Sequence, residues 1–223
     1  MKIFFVTGTD TEVGKTYVSR QILEQVNSLG KSTIGIKLIA SGCEENNGKL
    51  TNDDALQLQK AASATLPYKD VNPFSFEPAI APHIAAEKMN QPLAKDQVKQ
   101  KIQGLIEKYN QHDFMLIEGA GGWLLPLSNQ QFLYSIIVEL NIPIILVCGL
   151  KVGCINHALL TSAHINNSQG VLAGWVANTI DPTMRYIDEN IQTIQDHIQA
   201  PFLGSVFYQN GSSLNMSNLL KVP

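Results

Sequence analysis

The chain has 223 residues, of which 44% are hydrophobic and 16% charged, a balance that supports one packed domain with a sizeable core and excludes a disordered chain. Sixteen Lys and Arg against nineteen Asp and Glu leave a formal net charge of −3, so there is no basic field to hold a nucleic-acid backbone or an anionic membrane. The three cysteines, Cys43, Cys148 and Cys154, form no CxxC pair and indicate neither a disulfide framework nor a zinc site; small buried residues are their ordinary role.

In chain order, residues 3–6 are a short β-rich run that turns polar at Thr7-Gly8, too early for the apolar region of a signal peptide. Over residues 15–29, Val18, Ile22, Val26 and Leu29 recur in steps of four, four and three, one face of a helix that Gly30 stops. Residues 33–39 return to strand character, and a polar stretch with Gly42, Asn46, Asn47 and Gly48 leads to a helix expected over 53–62. Val98, Ile102, Leu105, Ile106 and Tyr109 mark a further helix, followed by a strand at 114–117. Residues 142–147 and 171–177 are continuous apolar runs, as strands buried on both faces should be. The longest apolar stretch, 142–150, contains Pro143 and is roughly half a membrane span, so a soluble, cytoplasmic protein is expected. Cys154 opens a helix, Ile187, Ile191, Ile194 and Ile198 form the apolar face of another, and residues 201–208 predict a last strand. No repeat, low-complexity tract or linker interrupts the alternation. The expectation is one α/β domain over 1–223, a doubly wound and mostly parallel sheet flanked by helices, with ligands beyond the carboxyl ends of its strands.

The first such loop is Gly8-Thr9-Asp10-Thr11-Glu12-Val13-Gly14-Lys15-Thr16, and a helix opens directly behind it. Backbone amides of a loop of this kind cradle phosphate oxygens, a lysine reaches the β- and γ-phosphates, and the hydroxyl that follows it ligates Mg²⁺. The pattern departs from G-x-x-x-x-G-K-[ST] in one respect: Gly8 lies one residue early, and Thr9 takes the usual glycine position. Strand, Gly-Lys-Thr and helix nevertheless follow in the required order, a P-loop NTPase arrangement.

Mg²⁺ beside phosphates takes one or two carboxylates. Glu118 ends an apolar strand and precedes Gly119-Ala120-Gly121-Gly122, a place suited to a metal–phosphate site; the alternative is a solvated strand-end charge. Asp54, in Asn52-Asp53-Asp54, stands at a helix start where an N-cap or a dipole-complementing charge is the ordinary explanation. Lys37 ends the second strand. Burial of its ammonium would require an anionic partner, and snorkelling to water is the alternative.

Taken together, the chain resembles the dethiobiotin synthetases along nearly its whole length. The resemblance rests on GTDTEVGKT at 8–16, KLIASG at 37–42, NDDA at 52–55, APHIAA at 81–86, EGAGGW at 118–123, GLKVGCINHA at 149–158 and GWVANTID at 174–181. It implies a ligase that joins CO₂ to 7,8-diaminopelargonate: a carbamate forms on one amine, ATP phosphorylates it, and the second amine closes the ring with release of ADP and phosphate. It assigns Thr16, Asp54 and Glu118 to Mg²⁺, and Lys37 with Lys15 to catalysis. Glu12, Val13, Gly14, Lys15, Thr16 and Tyr17 would wrap the triphosphate, with Gly119, Ala120 and Gly121 opposite and Asn178 and Thr179 at the adenine. Thr11 and Ser41 would bond the carbamate or substrate. A homodimer is implied, with Gly153, Cys154 and Asn156 reaching the substrate of the partner subunit; His157 has no implied role.

Two positions depart from the family's pattern. Leu38 stands where Pro is common, and Phe207 stands where a Pro often precedes an acidic residue. Residues 205–223 contain no Asp or Glu, so nothing there supplies that acidic nucleotide contact. A switch ATPase of the partitioning type is the competing class, but it carries a lysine early in the loop, where this chain has Gly8-Thr9-Asp10.

Overall fold

The computed structural model describes residues 1–128, 130–207, 211–217 and 219–221. The apolar runs form one six-stranded sheet from β1 (Lys2–Gly8), β2 (Thr33–Lys37), β3 (Phe114–Glu118), β4 (Ile144–Leu150), β5 (Leu172–Thr179) and β6 (Phe202–Val206). Their spatial order is β6-β5-β4-β1-β3-β2, and every adjacent pair is parallel. β3 and β4 are buried at every residue, which is why their sequences are continuously apolar.

Eight α-helices accompany these strands among the described residues: α1 (Lys15–Ser28), α2 (Asp53–Ala61), α3 (Tyr68–Val71), α4 (Pro82–Lys88), α5 (Lys95–Lys108), α6 (Leu133–Glu139), α7 (Cys154–Asn167) and α8 (Ile187–His197). Val18, Ile22, Leu23 and Val26 of α1 pack with Phe4, Val6, Leu116 and Ile145, the residues of one sheet face. Phe5, Ile36, Met115 and Ile117 alternate to the other face and meet α5 and α6, while Leu146, Cys148 and Trp175 meet α7 and α8. The chain thus leaves β1 towards one face and β3 towards the other. That reversal opens a crevice at their carboxyl ends, the place where such sheets bind ligands.

The expected doubly wound architecture is present, with differences that are local. The run 33–39 is not one strand: β2 ends at Lys37, and Ile39–Ala40 pairs instead with Phe74–Ser75. The helix expected over 53–62 stops at Ala61, and the last strand ends at Val206; Tyr208 lies outside the described residues. The hairpins Glu44–Asn46/Lys49–Thr51 and Pro126–Ser128/Gln131–Phe132, and the short helices α3, α4 and α6, carry no sustained periodicity and depend on tertiary packing. The three cysteines are buried and free. Among the described residues no helix is long and apolar enough to cross a membrane.

One buried charge ties α3 to α5. Asp70 is 3% exposed and accepts hydrogen bonds from Lys101 Nζ (3.2 Å), Lys108 Nζ (2.6 Å) and Tyr109 Oη (2.7 Å). Burial pushes its carboxyl up, but Lys108, Tyr109 and Lys101 outweigh burial and hold it at about 2, below the ordinary 3.8. The folded pKa is depressed, so the stabilisation is complete above the unfolded value and is lost as pH falls through the folded one. Asp70→Asn is expected to lower stability at pH 7 by about 1–2 kcal/mol, a value that allows for screening at the half-exposed lysines. Urea midpoints of the two proteins should converge as pH falls from about 4 towards 2; a gap independent of pH would remove the charge from this role.

Candidate active site

The crevice is built from the phosphate-type loop outward. Gly8 closes β1, and a Cβ there would lie 2.5 Å from Val13 Cγ2. The early glycine therefore makes room for the buried Val13, which anchors the loop from beneath. Gly14 has φ 81° and is the N-cap of α1, with no side-chain capping bond and no acidic residue in the first helical turn. The start of the helix thus keeps donor amides and positive dipole available to an anion. A side chain at Gly14 would also collide with Asn178 Nδ2, which donates to Val13 O at 2.8 Å. Within the loop, Lys15 Nζ donates to the Asp10 carbonyl at 3.1 Å. Burial pulls the Lys15 ammonium down to about 8; nearby Lys37 adds to that shift, and Glu118 opposes it.

The register of three parallel strands supplies the next layer. Val6 and Lys37 both pair with Glu118 across the sheet, which places the Lys37 and Glu118 side chains side by side at the carboxyl end. Lys37 Nζ donates to Glu118 Oε1 and to Asp54 Oδ2, each at 2.7 Å, and Thr16 Oγ1 also donates to Glu118 Oε1 at 2.7 Å. Glu118 is wholly buried and Lys37 is 5% exposed, so neither is a solvated strand-end charge. Burial works against the Lys37 ammonium, but the carboxylates of Glu118 and Asp54 outweigh it and raise its pKa. Asp54 responds in kind: burial pushes its carboxyl up, Lys37 pulls harder, and the net shift is downward. Asp54 is not the helix cap. Asn52 caps α2, its side chain accepting from Ala55 N at 3.3 Å, and Asp54 is thereby freed to face Lys37.

A cavity of about 420 Å³ lies in front of these groups. Thr11, Glu12, Gly14, Lys15, Thr16, Tyr17, Lys37, Ser41, Asp54, Ala120 and Gly121 line it, so most of the residues singled out in the sequence meet at one place. Ala40, Asn52 and Gln57 line it as well and were missed; the i, i+3 spacing of Asp54 and Gln57 on one helix face is the signal that could have found Gln57. Val13 and Glu118 lie beneath the wall, and Gly119 is held by its N–H to Val6 O at 3.0 Å. Asn178 and Thr179 end β5 behind the loop, and the buried Thr179 hydroxyl has no hydrogen-bond partner. Gly153, Cys154 and Asn156 stand apart from the cavity. Gly153 (φ 93°) caps α7 and is exposed, as is Asn156, whereas the Cys154 thiol is buried 3.7 Å from Asn190 Oδ1.

Chemically, the site offers an anion-binding loop with two buried lysines, beside hard oxygen donors from Thr16, Asp54 and Glu118. Glu118 Oε2 is buried without a hydrogen-bond partner, the condition a bound cation would relieve. Among the described residues, no group of three or more His, Cys, Asp or Glu gathers as a self-contained metal cage. Two carboxylates and a hydroxyl suit instead a cation that shares its shell with phosphate oxygens.

A family model described as an AAA domain matches residues 2–213. An ATP-dependent dethiobiotin synthetase BioD of Pseudoalteromonas translucida is 43% identical over 91% of this chain and 88% of its own length. The protein of the same name from Aeromonas salmonicida is 44% identical over 94% of this chain and 92% of its own. The chain belongs to the dethiobiotin synthetase family. Its backbone also superposes on the MinD cell division protein of Aquifex aeolicus with a TM-score of 0.55 over 92% of this chain and 81% of that one. At 17% identity that likeness is one of fold alone. Family membership and fold thus agree on a P-loop sheet, and the Lys37–Glu118–Asp54 cluster sits where such sheets hold ligands.

The cluster makes a prediction about stability. Removing one partner of a buried pair strands the other charge, so Lys37→Met is expected to cost about 3–5 kcal/mol without added metal. Adding Glu118→Gln to that variant should recover most of the loss. A single-variant cost below about 1 kcal/mol in urea denaturation would show that the pair is solvated, as surface pairs are.

Proposed function

We propose that this protein, acting as a homodimer in the cytoplasm, converts 7,8-diaminopelargonate, CO₂ and ATP to dethiobiotin, ADP and phosphate. The observation that carries the reading is the meeting of the Thr16 hydroxyl, Lys37, Asp54 and the half-unsatisfied Glu118 carboxylate at the mouth of the phosphate loop. The names and identities of its relatives support the same reading.

One amine adds to CO₂ and loses a proton, giving a carbamate. A carbamate is a poor electrophile, because its oxygen is a poor leaving group until it is phosphorylated. Attack of the carbamate oxygen on the γ-phosphorus expels ADP; the second amine then attacks the carbonyl carbon, the C–O bond to phosphate breaks, and the ring closes. Neither step asks the protein for a covalent bond. Both ask for placement and for charge stabilisation. Lys15 and the start of α1 hold the phosphates. Lys37, sheltered from water, neutralises charge on the carbamate and the transferring phosphoryl group. Thr11 and Ser41, on the cavity wall, hydrogen-bond the carbamate or the diamine.

Thr16, Asp54 and Glu118 would hold Mg²⁺, which when bound supplies charge neutralisation to the β- and γ-phosphate oxygens. The nucleotide base is assigned to the end of β5. Asn178 there spends one amide N–H on Val13, and its remaining polar groups, together with the Thr179 hydroxyl, would meet a base edge. The start of α7 reaches the substrate of the second subunit, through Asn156 and the backbone at Gly153 and Cys154, since the Cys154 thiol faces its own core. Val152 beside them is 92% exposed, as an interface residue of a lone subunit would be.

ADP release from ATP, Mg²⁺ and bicarbonate should depend on 7,8-diaminopelargonate and should yield dethiobiotin by mass spectrometry. Release indifferent to the diamine would overturn the assignment. Lys37→Gln is expected to abolish product formation while ATP binding stays within a few-fold. Asp54→Ala should raise the Mg²⁺ concentration for half-maximal rate about tenfold, and an unchanged titration would remove Asp54 from the metal.

A further inference from the structure

Lys37 and Asp54 are linked a second time, through contacts that neither side chain makes itself. Asn72 is 3% exposed, and its Nδ2 donates to the backbone carbonyl of Lys37 at 2.8 Å and to that of Phe74 at 3.4 Å. Its Oδ1 accepts from the Tyr68 hydroxyl at 3.3 Å, and the same hydroxyl accepts the backbone N–H of Asn52 at 2.7 Å. Asn52 caps α2, two residues before Asp54, whose carboxylate returns to Lys37 Nζ at 2.7 Å. The contacts close a ring: Lys37 backbone, Asn72, Tyr68, Asn52, Asp54, Lys37 side chain.

We propose that Tyr68 and Asn72 are positioning residues that set the distance between Lys37 and Asp54 by tying the end of β2 to the first turn of α2. The proposal rests on the function proposed above. The physical case is that the ring ties the two elements at the carboxyl end of β2, where Lys37 and Asp54 stand, whereas their direct contacts lie farther back, at Gly35 against Leu58 and at Thr33 against Ser63. β2 ends at Lys37 with its carbonyl beyond the sheet ladder, and α2 begins only after a hairpin. One hydroxyl both accepts from the α2 cap and donates to the side chain that holds the β2 end. Without it, Asn52 N–H and Asn72 Oδ1 each lose a partner, and the Asp54 carboxylate is free to drift from Lys37 and from the oxygen set of Thr16 and Glu118. Displacements of about 1 Å at such a site cost rate far more than they cost binding. α3, which carries Tyr68, takes no part in the phosphate loop, so the metal-independent part of nucleotide affinity is insulated from it.

The test is Tyr68→Phe, which keeps the ring and removes only the hydroxyl, in the native and the Asp54→Asn backgrounds. In the native background kcat for dethiobiotin formation is expected to fall about tenfold, with KM for ATP within twofold and the half-saturating Mg²⁺ concentration raised. In the Asp54→Asn background the same change should alter kcat less than about twofold, because a residue acting through Asp54 has nothing left to position. An equal loss in both backgrounds, or none in the native one, would reduce Tyr68 to a packing residue. Asn72→Leu, which removes the donor to Lys37 and the acceptor for Tyr68 without adding a charge, should give the same pattern if Tyr68→Phe is too unstable to assay. Should the native protein form no dethiobiotin, the functional reading falls. The positioning claim is then decided by the same cycle read as the Mg²⁺ dependence of fluorescent ADP binding: coupling to Asp54 upholds it, and additivity overturns it.

Discussion

Burying the Glu118 carboxylate is the constraint around which the rest of the site is arranged. A charge with no exposure to water must be met by donors or cations, and the donors arrive from two separate elements, Thr16 at the start of α1 and Lys37 at the end of β2, while Asp54 on α2 accepts from Lys37 in turn. Both hydrogen bonds fall on Oε1, and Oε2 is left without one. A purely structural ion pair would gain by satisfying both oxygens. The buried oxygen left open is instead the observation on which the proposed cation site rests, and leaving it open costs the protein alone some stability.

The same economy of donors governs the loop. Lys15 is held by the carbonyl of Asp10 and the loop itself by Asn178, so both lysines and the backbone that would receive phosphates are in defined places before any ligand arrives. Preorganisation of this kind is where phosphoryl transfer finds most of its rate, since the reaction needs charges already oriented rather than new covalent chemistry. It also accounts for the glycines. Gly14 must be left-handed and must lie against Asn178, and Gly8 must admit Val13; the loop therefore keeps its shape with one residue more between its glycines than the usual pattern has.

The likeness to MinD and the membership of the dethiobiotin synthetases describe different levels of the molecule. The sheet order, the crevice between β1 and β3 and the loop before α1 belong to the fold, which many chemistries share. What separates the chain from a switch ATPase is the set of side chains laid on that frame: no lysine precedes Lys15 in the loop, and a second lysine comes instead from β2. Lys37 thus reaches the site from within the sheet, locked to two carboxylates.

The elements of the sheet and the phosphate loop were legible in the sequence, because each rests on a local pattern. Continuous apolar runs mark strands covered on both faces, the four-four-three spacing from Val18 to Leu29 marks α1, and Gly-Lys-Thr between strand and helix marks the loop. The roles of Asp54, Lys37 and Asn178 were not settled by local pattern. Asp54 and Asn52 are equally plausible caps by residue type, and only the path of the chain into α2 makes Asn52 the cap and turns Asp54 inward. Lys37 reads as well for a snorkelling strand end until the parallel register places it opposite Glu118, 81 residues away. Asn178, read by resemblance as a base contact, lies against the loop that comes 165 residues before it because β5 and β1 end on the same edge. Periodicity reports what a segment does with its own neighbours; it carries no information on strand order or register, and here register alone decides which charges meet.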